Sequence, residues 1–192
     1  MNKAILANTD KYKVSELLKE TEKNVVYFDN LVNNIVETYT KPLDNIMKNI
    51  YNDVIKKENP SMDLLEEYFL ELTNCIYFMG EKLEKLGLYK NMAETSYKEV
   101  YDNKYIEESA EKDLKGKSIK TVAELQSLAG SASVYEGAIS DIYDRAYAIV
   151  KSKIGNAQTM VATLSKVISS RLTEMNLTMI TPKGKQILNE QI

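Results

Sequence analysis

The chain has 192 residues, of which 44% are hydrophobic, enough to fill the cores of one or two ordinary domains. Its 25 lysines and arginines nearly balance 28 aspartates and glutamates, so the net charge of −3 favours no class of partner by itself. The sequence contains no histidine, which excludes catalytic triads, Cys/His pairs and zinc sites with imidazole ligands. We therefore expect a protein that is not an enzyme.

The first sixty residues are predicted to form a helical hairpin. Apolar residues recur at helical spacing over residues 14–39. Pro42 suits the first turn of a second helix, because a proline there loses no hydrogen bond, and apolar spacing continues to Ile55. Pro60 ends the hairpin, so residues 1–60 form the first predicted segment.

Residues 61–120 form the second predicted segment. Ser61 can cap a third helix, because its hydroxyl can accept a hydrogen bond from the first helical turn, and Gly87 is predicted to stop or bend that helix. The spacing of residues 88–111 is also helical, with few aliphatic residues. The basic, glycine-containing run 112–120 is predicted to be a loop.

A very long helix is predicted in the third segment, residues 121–192, followed by a short C-terminal stretch. Thr121 and Glu124 fit a capping box, in which each side chain accepts a hydrogen bond from the backbone of the other residue. We expect the three segments to fold as one cooperative unit. Apolar residues then recur about every 3.6 residues, between a coiled-coil and a straight-helix period; they are Leu125, Leu128, Ala132, Tyr135, Ile139, Ile142, Ala146, Val150, Ile154, Ala157, Val161, Leu164, Ile168, Leu172 and Met175.

This helix would be roughly 80 Å long at about 1.5 Å per residue, longer than a compact domain of this mass. Either it breaks, with Gly130, Gly137 and Gly155 as the weakest places, or it packs against other helices and other subunits. We favour an all-α helical bundle in which the long helix packs, as in a coiled coil, within a homo-oligomer. The predicted oligomer contacts are Tyr135, Ile139, Ile142, Ala146, Val150, Ile154, Val161, Leu164 and Ile168.

Cys75 is the single cysteine and lies in an apolar stretch, which suits a small buried side chain better than a reactive thiolate. No internal disulfide can form. The N-terminus lacks the apolar run of a signal peptide, and no window is long enough to span a bilayer. We expect a protein of the reducing cytoplasm that does not contact membranes.

A stripe of tyrosines and lysines is the candidate functional site. Tyr97, Tyr101 and Tyr105 recur every four residues, with lysines between them and in the following loop. Aromatic rings that stack on bases, beside ammonium groups that neutralise phosphates, are typical of single-strand binders. Tyrosines packed in a core beside solvated lysines would give the same pattern. The predicted DNA-binding residues are Lys90, Tyr97, Lys98, Tyr101, Lys104, Lys112, Lys115, Lys117 and Lys120.

No metal or cofactor is predicted. The acidic pairs 66–67 and 107–108 lack the Glu-x-x-His partners of carboxylate-bridged metal bundles. The run 115–118, Lys-Gly-Lys-Ser, lacks both the upstream glycine and the preceding strand of a phosphate-binding loop.

The charge is distributed unevenly along the chain. Residues 1–144 contain 18 basic and 26 acidic side chains, whereas residues 145–192 contain 7 and 2. Such asymmetry favours either a tail that faces nucleic acid or self-association of oppositely charged ends. Unevenly solvated faces would have the same composition.

Part of the long helix carries a recognisable pattern. It consists of Tyr135, Gly137, Asp141, Ala146 and the run Lys151-Ser152-Lys153. The pattern resembles the C-terminal helix motif of phage recombination mediators of the UvsY type. The resemblance is best over residues 118–153 and looser over residues 64–117.

This resemblance implies a small helical protein without catalysis of its own, which forms a ring-like homo-oligomer and binds single-stranded DNA. Such a protein helps a RecA-like recombinase to displace a single-strand-binding protein, here in the cytoplasm of a phage host. The resemblance places Lys98 and Tyr101 near the DNA-contacting segment, and residues 135–153 in the oligomerising helix. A structural or scaffold protein of a phage-like assembly and a helical effector that binds a host protein are the alternatives.

Overall fold

The computed structural model describes residues 3–57, 59–112 and 116–180, with side chains except for 3–15, 17 and 178–180. In this part of the chain every extended secondary-structure element is a helix. The prediction of an all-α fold is confirmed. None of the described helices combines the length and the apolar character needed to cross a membrane. The elements are α1 (Lys3–Ile50), a π-helical turn (Tyr51–Ile55), α2 (Met62–Ser109), α3 (Val122–Ala132) and α4 (Val134–Ile180).

Helix α1 is continuous, so the prediction of a helical hairpin in residues 1–60 is wrong. Pro42 lies inside the helix rather than in the first turn of a second one. A proline in a helix interior removes one hydrogen bond and costs about 3 kcal/mol. Thr40 and Leu43, on either side of it, are both buried, while Pro42 itself is exposed. We infer that packing on both sides of the proline outweighs its cost.

Helix α2 begins where the sequence predicts and ends later than it predicts. The Ser61 hydroxyl accepts a hydrogen bond from the Leu64 N–H at 3.3 Å, which caps the helix. The predicted stop at Gly87 is wrong, because α2 runs on to Ser109. A β-carbon at Gly87 would lie 3.4 Å from the Tyr147 ring of α4. The glycine therefore marks a close contact between two helices and not a helix end.

The predicted long helix is divided into α3 and α4 at Ser133. The capping box at the start of α3 is confirmed, since Thr121 Oγ1 accepts from the Glu124 N–H and the Glu124 carboxylate accepts from the Thr121 N–H. The Ser133 hydroxyl donates to the Ala129 carbonyl at 2.9 Å, beside the break. The glycines predicted as weak places, Gly130, Gly137 and Gly155, all lie inside helices.

The chain forms two compact units, each assembled from two separate stretches. The first unit comprises Met1–Thr38 and Lys85–Ile149, and the second comprises Tyr39–Glu84 and Val150–Ile192. Each of the three long helices contributes to both units, so the units do not coincide with the three segments drawn from the sequence. Buried side chains of the first unit are Val32, Val36, Leu86, Leu125, Ala129 and Ala146; those of the second include Leu43, Ile50, Leu65, Leu72, Met79, Val150, Ala157 and Leu164.

Candidate functional site

The predicted tyrosine stripe is largely used for packing in the first unit. Tyr97, Tyr101 and Tyr105 are all half-buried, and the rings of Tyr97 and Tyr101 have centroids 6.2 Å apart. The Tyr97 ring lies against the backbone of Gly137, where a β-carbon would come within 3.3 Å of it. A ring that packs against a neighbouring helix has less of its surface available for stacking on a base.

Two of the predicted DNA-binding lysines, both on α2, are held by carboxylates, one on α4 and one on α2. The Lys90 ammonium lies 2.5 Å from an Asp144 oxygen and 5.3 Å from the centre of the Tyr147 ring. The hydrogen bond to Asp144 raises the pKa of Lys90 above its ordinary value. Lys98 donates to Glu94 at 2.6 Å, one turn earlier on the same exposed face. Such surface pairs are weak, so a phosphate could replace Glu94 at little cost.

Two further predicted lysines belong to an ion-pair network that we call the Glu108 cluster, formed by Lys104, Glu107, Glu108, Glu111 and Lys120. Lys104 Nζ lies 2.9 Å from Glu107 and 2.8 Å from Glu108. Lys120 donates to Glu108 and lies 2.8 Å from Glu111. The cluster ties the end of α2 to the segment that leads into α3. Both lysines are thus already neutralised by this chain's own carboxylates.

The Glu108 cluster predicts a loss of stability in acid. Hydrogen bonds from Lys104 and Lys120 lower the pKa of Glu108 from its ordinary 4.5 to about 2 in the folded protein. The folded state therefore binds the proton more weakly than the unfolded state. The stabilisation is complete above pH 4.5 and is lost as the pH falls towards 2.

Urea unfolding at several pH values between neutrality and pH 2 measures this loss of stability. We expect Glu108→Gln to be less stable than the wild type at neutral pH and to approach it in acid. Glu99→Gln changes an exposed glutamate of the same helix and is the control. If both variants followed the wild-type pH dependence, Glu108 would have no such role.

The remaining predicted lysines belong to the loop between α2 and α3. The backbone of Lys112 pairs with Ser118 in an isolated antiparallel bridge. Lys112 and Lys117 are exposed. Lys115 lies outside the described residues, as does the C-terminal stretch 181–192.

Four of the nine predicted oligomer contacts lie in the core of a single chain. Ala146, Val150, Ile154 and Leu164 are buried, so they already have intrachain neighbours. Tyr135 is 73% exposed and is the member best placed to meet another molecule. The other four, Ile139, Ile142, Val161 and Ile168, are half-buried.

Lys153, the last residue of the Lys151-Ser152-Lys153 run, has a structural partner in the second unit. Lys153 Nζ donates to both carboxylate oxygens of Asp44, at 2.8 and 2.6 Å, and to Thr40 Oγ1 at 3.2 Å. The Thr40 hydroxyl in turn donates to Asp44 at 2.7 Å. The three residues join α1 to α4 within that unit.

Cys75 is half-buried rather than fully buried. Burial raises the pKa of the Cys75 thiol, so the thiolate needed for nucleophilic chemistry is disfavoured. The described residues contain no group of three or more cysteine, aspartate or glutamate side chains placed to hold a metal ion.

The first half of α1 carries an exposed apolar surface that is not predictable from the sequence pattern. Every described side chain from Leu18 to Asn30 is exposed, although the helical spacing there suggests a core-facing stripe. The exposed apolar residues are Leu18, Val25, Val26, Tyr27 and Phe28. Periodicity predicts the helix and its stripe, but it contains no information on what covers the stripe.

Beside this surface, α1 and α4 of the first unit enclose an open groove of about 580 Å³. Its apolar walls are Val25, Phe28 and Val32 of α1 and Ala138, Ile142 and Ile149 of α4. Three charged residues, Asp29, Asp141 and Arg145, also line it. We call this the α1–α4 groove.

No protein-family model, curated protein or solved structure matches the chain. The surfaces described above and the resemblance of residues 118–153 are therefore the basis for a functional proposal.

Proposed function

We propose that the protein is a helical assembly or scaffold protein that acts by binding protein chains rather than by catalysis. The observation that carries this proposal is the part of the exposed apolar surface that lies along one side of α1, formed by Leu18, Val25 and Phe28. Val25 is 60% exposed, whereas Val32, two turns later on the same face, is 4% exposed. Contiguous apolar surface of this kind marks protein interaction sites in soluble proteins.

A second exposed apolar surface supports assembly over a single binary contact. In the second unit, Leu70, Tyr77 and Phe78 of α2 are all more than half exposed. The rings of Tyr77 and Phe78 pack edge to face, with centroids 5.4 Å apart, so they form one aromatic surface. Two apolar surfaces on one chain suit a protein that contacts more than one neighbour.

The test is the mass of the intact protein in solution, by light scattering after size exclusion over a wide range of concentration. We expect masses that are multiples of the 21.9 kDa chain and that rise with concentration. A mass of one chain throughout would contradict self-assembly.

Binding of single-stranded DNA, as a recombination mediator for a RecA-like recombinase, is the second candidate. It is supported by the resemblance and by Lys151 and Lys166 of α4, which are exposed in a stretch with few acidic residues. Fluorescence anisotropy with a labelled single-stranded oligonucleotide tests it. We expect affinity to fall steeply with salt, and Lys151→Ala with Lys166→Ala to weaken binding without changing the mass in solution. The absence of binding at low salt would eliminate this candidate.

A further inference from the structure

We propose that the α1–α4 groove is filled by α1 of a second copy of the chain, and that the second copy's groove receives α1 of the first in return. The inference rests on the proposed function and adds the partner and the surface. In such a two-fold pair, α1 and α4 of each copy form a four-helix arrangement.

One apolar stripe continues along α1 beyond the part that its own chain covers. At about 100° per residue, Leu18, Val25, Phe28 and Val32 lie within about 80° of one another around α1. Val32 and Val36 are covered by their own chain. From Phe28 towards the N-terminus the same stripe is uncovered, with Phe28 40% and Leu18 58% exposed. The cover therefore ends partway along a stripe that continues unchanged.

The length of the groove fits one helix. Its α4 wall runs from Ala138 to Ile149, which is about 16 Å, or three helical turns. Ile149 faces the groove and is 38% exposed, so nothing within the described chain covers it fully. One helix of about three turns would cover this wall and the uncovered stripe of α1 together. Helix α1 of a second copy has such a stripe.

Charge complementarity also favours α1 of a second copy as the occupant. Arg145 lines the groove and is exposed, and it forms no ion pair within the part of the chain that the structure describes, even with Asp141 one turn away. On α1, Glu22 and Asp29 border the apolar stripe, whereas Lys19 and Lys23 lie on the far side of the helix. An incoming α1 therefore brings carboxylates to the groove edge, where one of them can form an ion pair with Arg145.

Two neighbouring valines provide a matched test in the intact protein. Val25 and Val26 are 60% and 59% exposed, but only Val25 lies on the stripe and in the groove. We expect Val25→Asp to weaken self-association about tenfold or more, and Val26→Asp to change it less than about twofold. Sedimentation equilibrium gives the association constants, and circular dichroism checks that both variants keep the wild-type helix content. Leu18→Asp is a second stripe variant, should Val25→Asp unfold.

A charge exchange tests separately whether Arg145 pairs with a carboxylate of the incoming α1. Arg145→Glu is expected to weaken self-association, and adding Glu22→Arg to the same chain is expected to restore it. If the wild type assembles and the stripe variants assemble equally well, the groove is not the interface, although the proposed function stands. If the two valine variants weaken assembly equally, the inference is also wrong. A wild type that stays monomeric overturns the proposed function itself.

Discussion

Replacing Leu72 with alanine is expected to lower the free energy of unfolding by about 2–5 kcal/mol. Leu72 lies on α2 in the core of the second unit and is 0% exposed. Truncation removes buried apolar atoms and leaves a cavity that neighbouring helices fill only in part. Urea unfolding followed by circular dichroism measures the change.

Leu70 provides the control for this substitution, because it lies two residues earlier on the same helix and is 66% exposed. Leu70→Ala should change the free energy of unfolding by less than about 0.5 kcal/mol. Equal losses in the two variants would mean that Leu70 is also covered, for example by another chain. Repeating the measurement at low protein concentration separates that case from an error in the core assignment.

Replacing Gly137 with leucine is expected to cost about 1–3 kcal/mol in unfolding free energy, through overpacking. The first added carbon would already lie 3.3 Å from the Tyr97 ring, so the remaining atoms must displace that ring or the helix. Thermal unfolding measures the loss. This variant tests whether Tyr97 is fixed by packing, which decides how far it can serve as a stacking platform for bases.

Gly80→Leu is the matched control, because nothing lies within 4 Å of a β-carbon built at Gly80. There the substitution should stabilise the protein by about 0.5–1 kcal/mol, since glycine is a poor helix former. If Gly137→Leu were equally stabilising, Tyr97 would be free to move away from α4. The prediction of a DNA-binding stripe would then gain support.

Helix ends in this chain are predictable where neighbouring residues determine them. The capping box at Thr121 and the cap at Ser61 each need partners within three residues, and both helices begin there. Hydrogen bonds of such short range are visible in the sequence because the partners are fixed by spacing alone.

The errors fall on residues whose role depends on distant neighbours. Pro42 and Gly87 are typical helix-boundary residues, yet packing on both sides of Pro42 and the Tyr147 ring against Gly87 keep both inside helices. The stripe of tyrosines and lysines shows the same limit. Spacing groups Lys90 with the other lysines, but its partner Asp144 belongs to another helix and is not predictable from local pattern.

The composition of the two compact units restricts how the gene can be dissected. Each unit draws on an early and a late part of the chain, since residues 39–84 and 150–192 interrupt or follow the stretches of the first unit. A stop codon or a new start codon placed between residues 39 and 149 removes material from both units. Truncation within this range, the usual first step in assigning an activity to a domain, would therefore disturb both units at once, and point substitutions are the more specific genetic tool.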